Sequence, residues 1–136
     1  MSRENVEVVQ RVYEAVARRD TASVLSFYDP GVEWDTSRSP TGTLMGPRVF
    51  RGHEGLRQVF REWHEAWENL EGNVEELIDA GDHVIAVGTA RGRGRASGVE
   101  VGFGIALVWT LREGKVTRVV WFPTRDEALD AVGLGE

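Results

Sequence analysis

The chain has 136 residues, of which 41% are hydrophobic and 28% charged, with a formal net charge of −6 and no cysteine. That length suits one domain with a real core and one pocket. The acidic balance argues against a nucleic-acid or anionic-membrane binder. The absence of cysteine excludes disulfides, thiolate metal sites and a thiol nucleophile, and no apolar run approaches the ~18 residues of a membrane span.

From Arg3 to Arg18, Val6, Val9, Tyr13, Val16 and Ala17 recur at spacings of three and four, which predicts an amphipathic helix. Asp20 is a suitable N-cap for a short second helix over Thr21–Phe27. Asp29-Pro30-Gly31 breaks the chain and Val32–Asp35 reads as a short strand. Thr36–Arg48 contains two Pro and two Gly and has no period, so it reads as a loop of lid length. Val49–Arg51 is a further short strand closed by Gly52. A long helix is expected from Glu54 to Leu70, with Leu56, Val59, Phe60, Trp63, Trp67 and Leu70 on one face and Gly72-Asn73 ending it.

Strand patterns then follow one another at Val74–Ile78, His83–Arg95, Val99–Trp109 and Val116–Phe122, with turns at 79–82, 96–98 and 112–115. The Val99–Trp109 stretch is the clearest. Its odd positions are Val, Val, Phe, Ile, Leu and Trp, and its even positions are mostly small, so one face is bulky and apolar. Thr124 and Glu127 fit a capping box for a last short helix. Helices followed by an antiparallel meander give an α+β architecture, in which a curved sheet wraps a long helix and leaves a conical cavity.

Several segments resemble the SnoaL-like branch of the NTF2-like superfamily. They are Val8–Tyr13 in the first helix, Phe27-Tyr28-Asp29-Pro30-Gly31-Val32-Glu33-Trp34, Phe50-Arg51-Gly52-His53-Glu54-Gly55-Leu56, and Gly114-Lys115-Val116. That superfamily also contains ketosteroid isomerase, scytalone dehydratase and limonene epoxide hydrolase. The resemblance covers nearly the whole chain. It implies an NTF2-like, cystatin-like cone, a homodimer through the outer sheet face, a mostly apolar pocket for a small apolar or aromatic ligand, and chemistry without a cofactor.

The resemblance places Asp35 like the general-base aspartate of isomerase-like members, where an apolar cavity would raise its pKa. The alternative is a solvated loop-edge Asp. His53, before the long helix, is a candidate acid–base partner of Asp35, or simply a residue that starts the helix. The isomerase oxyanion hole is not reproduced: its tyrosine falls near Val12, with Tyr13 one residue off, and its acid falls at Leu107, which cannot donate a hydrogen bond. Tyr13, Trp34, Phe60, Trp63, Trp67, Leu107, Trp109 and Trp121 are candidate pocket walls, suited to a flat ligand, with plain core packing as the alternative. Three scattered His make no metal site. Arg91, Arg93 and Arg95 alternate with Gly on one strand face. With a turn at Ser97-Gly98 they lie over Gly104, Gly102 and Glu100, as a solvated or subunit-facing stripe.

Three functions stand side by side: a cofactor-free isomerase, cyclase or dehydratase using Asp35, a ligand-binding module without turnover, and a dimerising scaffold. The expected location is the cytoplasm, since the first residues are polar and unlike a signal peptide.

Overall fold

A computed structural model describes residues 3–36 and 49–134. The elements run α1 (Arg3–Ala17), α2 (Thr21–Ser26), β1 (Tyr28–Asp35), β2 (Val49–Arg51), α3 (Gly52–Ala66), β3 (Trp67–Ala80), β4 (His83–Gly94), β5 (Glu100–Arg112), β6 (Lys115–Phe122) and α4 (Arg125–Ala131). The expected lid-length loop falls almost wholly on residues 37–48, outside the described residues.

The strands form one six-stranded sheet in the order β2-β1-β6-β5-β4-β3, antiparallel except for the parallel β1–β6 pair. The long central strand foreseen from its period-two pattern lies between β6 and β4, and its two faces meet different partners. Leu107, Trp109 and Leu111 join Val84, Ala86, Val119 and Trp121 on the inner face. Val9, Val12 and Ala15 of α1, Val24 and Leu25 of α2, and Leu56 of α3 close over them as the main core. On the outer face Ala106, Val108, Ile85, Val120 and Phe122 make a smaller cluster covered by Ala128 of α4.

The helix starts follow their caps. Asp20 accepts from the Ser23 backbone N–H at 3.2 Å, and Thr124 from the Glu127 N–H at 3.1 Å, each satisfying a donor that the first turn leaves open. Glu113 and Gly114 both take positive φ, 53° and 78°, as a tight hairpin between right-twisted strands requires.

Three expectations need correction. The long helix stops at Ala66, and Trp67 is already extended, with φ −126° and ψ 140°. Trp63 and Trp67 therefore do not share a helix face. The 3–4 spacing that suggests a continuing helix loses to β pairing, which starts at Trp67↔Gly94 and runs through Gly72-Asn73 without ending. Two register shifts, at 68/71 and 74/76, bend this strand. There the backbone comes so close that a Cβ on Gly88 would collide with the Asn73 carbonyl. Second, β1 begins at Tyr28, because Asp29-Pro30-Gly31 forms a register shift against β6 rather than a break. Third, the β4–β5 connection is longer than a tight turn at Ser97-Gly98. It brings Arg93 opposite Glu100, with 3.6 Å between charged atoms, and Arg91 opposite Gly102. Arg95 leaves the stripe altogether.

Candidate functional site

Strand parity decides which candidate residues face the interior. In β1, Val32 and Trp34 pack on the main core while Glu33 and Asp35 point to the other side of the sheet. Asp35 pairs across to Val120, an outer-face residue, and its carboxylate lies 3.7 Å from the Arg118 guanidinium. Arg118 also approaches Glu33 at 3.9 Å, and Arg51 approaches Glu33 at 3.4 Å. Asp35 is only 9% exposed, so it is buried as expected, but on the face opposite the aromatic interior. His53 is not its partner: the His53 ring Nε2 lies 2.9 Å from the Tyr28 carbonyl oxygen, tying the start of α3 to β1. The structure does not bring Asp35 and His53 together as a couple.

The aromatic candidates do come together on the inner face. Trp109 is 2% exposed and sits at the centre of a ring cluster. Tyr13 meets it edge-on at 5.6 Å between centroids, Trp34 edge-on at 6.1 Å, and Tyr28 tilted at 6.2 Å. Trp121, paired across the ladder with Leu107, stacks on Trp63 of α3 at 5.1 Å. Such pairs contribute about 0.5–1.5 kcal/mol each beyond area burial.

Several polar atoms in this interior lack hydrogen-bond partners. The Tyr13 hydroxyl and the indole N–H groups of Trp34 and Trp109 are buried without one among the described residues. Burial pushes the Tyr13 phenol above its ordinary value; the Trp109 side chain beside it opposes the rise, although the two groups do not meet as a hydrogen bond. Burial also raises Tyr28, and the neighbouring Tyr13 adds to it. Both phenols therefore stay protonated at neutral pH.

From this interior a groove of about 600 Å³ opens between α1, α2, α3 and the start of β3. Its apolar wall is Val16, Val24, Phe60, Trp63 and Trp67. Val16 is 47% exposed there, which is unusual for a valine on the apolar stripe of an amphipathic helix. Arg19, Asp20, Thr21, His64 and Arg95 form the polar rim. The depressions along β3–β5 lack an aromatic wall. The one of about 400 Å³ on β3–β5 is lined by Glu68, Glu71 and Glu100 facing Arg91 and Arg93, so its charges answer one another.

Two rim residues are not among the pocket candidates read from the sequence, where Arg95 belongs to a solvated or subunit-facing stripe. Arg19 lies just past α1 with φ 58°, its backbone N–H donating to the Val16 carbonyl at 2.9 Å. This left-handed helix stop usually falls to Gly or Asn, and a side chain there costs about 1–2 kcal/mol. Arg95 is fixed by its own turn. Its backbone N–H donates to the Ala66 carbonyl at 3.0 Å, and its Nε to the His64 carbonyl at 2.8 Å. The pair Arg18-Arg19 after an amphipathic helix was the available hint for the first; the second depends on the true register of β4–β5.

Residues 9–119 match the SnoaL-like domain. The chain belongs to the SnoaL-like family. Its fold recurs in solved structures. An NTF2-like protein from Burkholderia thailandensis is 27% identical, with a TM-score of 0.78 over 94% of this chain and 95% of that one. TerC, co-crystallised with polyporic acid, is 23% identical, with a TM-score of 0.77 over 95% of this chain and 98% of that one. A candidate SnoaL-like polyketide cyclase from Mesorhizobium loti is 23% identical, with a TM-score of 0.66 over 85% and 96%. No curated protein matches the chain. The SnoaL-like fold seen here is the α+β cone that the segment resemblance implied. Among the described residues, no helix is long and apolar enough to cross a membrane, and no cluster of His, Asp or Glu has the arrangement of a metal site.

Proposed function

We propose that this SnoaL-like domain binds a small flat apolar or aromatic molecule in the groove at the open side of the cone, against Phe60, Trp63 and Trp67. The observation that carries the reading is the groove itself. At about 600 Å³ it has the size of a small-molecule site, and its wall is aromatic. Trp63 joins it to the main core through its stack on Trp121. The ligand of TerC, polyporic acid, and the polyketide cyclase role suggested for the Mesorhizobium loti protein support the same class of compound.

Binding without turnover is preferred to catalysis by Asp35. A general base must come within hydrogen-bond reach of the proton it removes. The Asp35 carboxylate lies beyond the sheet from the groove, beside Arg118. The ionisable groups in the aromatic interior are the Tyr13 and Tyr28 phenols, which burial holds protonated, so they donate hydrogen bonds rather than accept protons.

Titration with 2-naphthalenemethanol and with polyporic acid, followed by tryptophan fluorescence and calorimetry, tests this. Saturable one-to-one binding is expected, weakened by about tenfold or more in Trp63→Ala, the loss of roughly one aromatic contact. Asp35→Asn should leave the affinity unchanged. Binding that ignores Trp63 but vanishes in Asp35→Asn would contradict the proposal and restore the catalytic reading.

A further inference from the structure

We propose that the groove selects an apolar or aromatic acid, its ring system lying on Phe60, Trp63 and Trp67 and its carboxylate taken by Arg19 and Arg95. The inference rests on the reading of the groove as the ligand site and adds the charge of the ligand to it.

The chain carries a net charge of −6, yet the rim of this aromatic-walled groove brings two arginines against one carboxylate. That carboxylate, Asp20, is engaged elsewhere: it caps α2, accepting from the Ser23 hydroxyl at 2.7 Å and from the Ser23 N–H at 3.2 Å. Among the described residues, neither Arg19 nor Arg95 has an ion-pair partner. Several arginines on or beside the sheet do: Arg51 and Arg118 with Glu33, Arg93 with Glu100, and Arg125 with Glu76, whereas Arg91 and Arg112 have, among the described residues, no apolar wall like that of the groove beside them. Unpaired guanidinium groups beside an apolar wall are ready donors to a carboxylate, which accepts from them through charge-assisted, often paired, hydrogen bonds.

The backbone adds a second, independent observation. Arg95, on the groove rim, is held by two hydrogen bonds to the last turn of α3, from its backbone N–H and its Nε, which leave its two terminal nitrogens without a partner among the described residues. Arg19 occupies a left-handed position at which glycine would be more comfortable. A side chain kept at a strained backbone position beside a groove points to use of that side chain.

The strain makes the test sharp. Calorimetry would compare 2-naphthoate with the neutral 2-naphthalenemethanol on the wild-type protein, Arg19→Gly and Arg95→Gln, with thermal unfolding of each. The proposal expects the acid to bind the wild type about tenfold tighter than the alcohol, as a charge-assisted contact allows. Arg19→Gly should keep or raise the melting temperature while removing most of that preference, and Arg95→Gln should reduce it too. Equal binding of acid and alcohol, indifferent to both substitutions, would overturn the charge selection and leave the groove reading intact. Failure of both probes to bind any of the proteins would overturn the groove reading and this inference with it.

Discussion

The two faces of the same sheet hold their polar groups in different ways. On the outer face they are matched: Asp35 and Glu33 with Arg118, Glu33 with Arg51, Glu76 with Arg125, and the His83 ring with the Thr110 hydroxyl at 2.9 Å. On the inner face the Tyr13 hydroxyl and the Trp34 and Trp109 N–H groups are buried with no partner among the described residues, and the groove arginines, with only the capping carboxylate of Asp20 near them, form no ion pair there. Buried polar groups in folded proteins are nearly always satisfied, so a concentration of unmatched donors on one face points to what binds there. The matched face reads as structure and the unmatched face as site.

The largest expected effect comes from removing the ring at the centre of the inner face. Trp109→Ala should cost about 3–5 kcal/mol in urea unfolding, because a fully buried side chain leaves a cavity that its neighbours cannot fill. A loss below 1 kcal/mol would mean that the inner cluster is loosely packed. Next comes Arg118→Ala on the outer face. It weakens the setting of a buried carboxylate and should cost about 1–2 kcal/mol, Arg118 itself being half-exposed. It should leave ligand affinity untouched, and a change in affinity would blur the division between the faces. Thr124→Ala, at the cap of α4, should cost about 1 kcal/mol and also spare binding.

The smallest effect on stability is the most telling for the comparison. Tyr13→Phe removes a buried hydroxyl that has no partner, so it should be neutral or stabilising by up to about 1 kcal/mol. A loss above 1 kcal/mol would show that the hydroxyl is satisfied after all. The same phenols set an alkaline limit. Burial raises both, so the folded protein holds their protons more tightly than the unfolded chain, whose tyrosines ionise near pH 10.0. Their contribution is intact below that pH and falls as the pH rises above it. Tyr13→Phe should make that alkaline loss shallower in pH-dependent unfolding.

Much of this was legible in the sequence where one signal dominated. The alternation over Val99–Trp109, the caps at Asp20 and Thr124, and the Arg112–Lys115 hairpin all formed as their local chemistry requires. The fold failed to be legible where two signals competed. Trp63, Trp67 and Leu70 fit a helix, but the ladder with β4 claims Trp67. The candidate base was misplaced although the signal for its true face was present. Val32 and Trp34 alternate with Glu33 and Asp35, and strict parity turns Asp35 away from the interior. Arg95 could not be placed without the actual length of the β4–β5 connection. The role of Arg19 depends on a left-handed helix stop that its residue type does not announce.

The most direct test uses the five tryptophan indoles as reporters. In a 15N-resolved titration with 2-naphthoate, signals assigned by single Trp→Phe substitutions, the account predicts saturable shifts of the Trp63 and Trp67 N–H resonances, while amides around Asp35 and Arg118 stay still. Shifts centred on Asp35 and Arg118, or no saturable shift of Trp63 and Trp67, would contradict it.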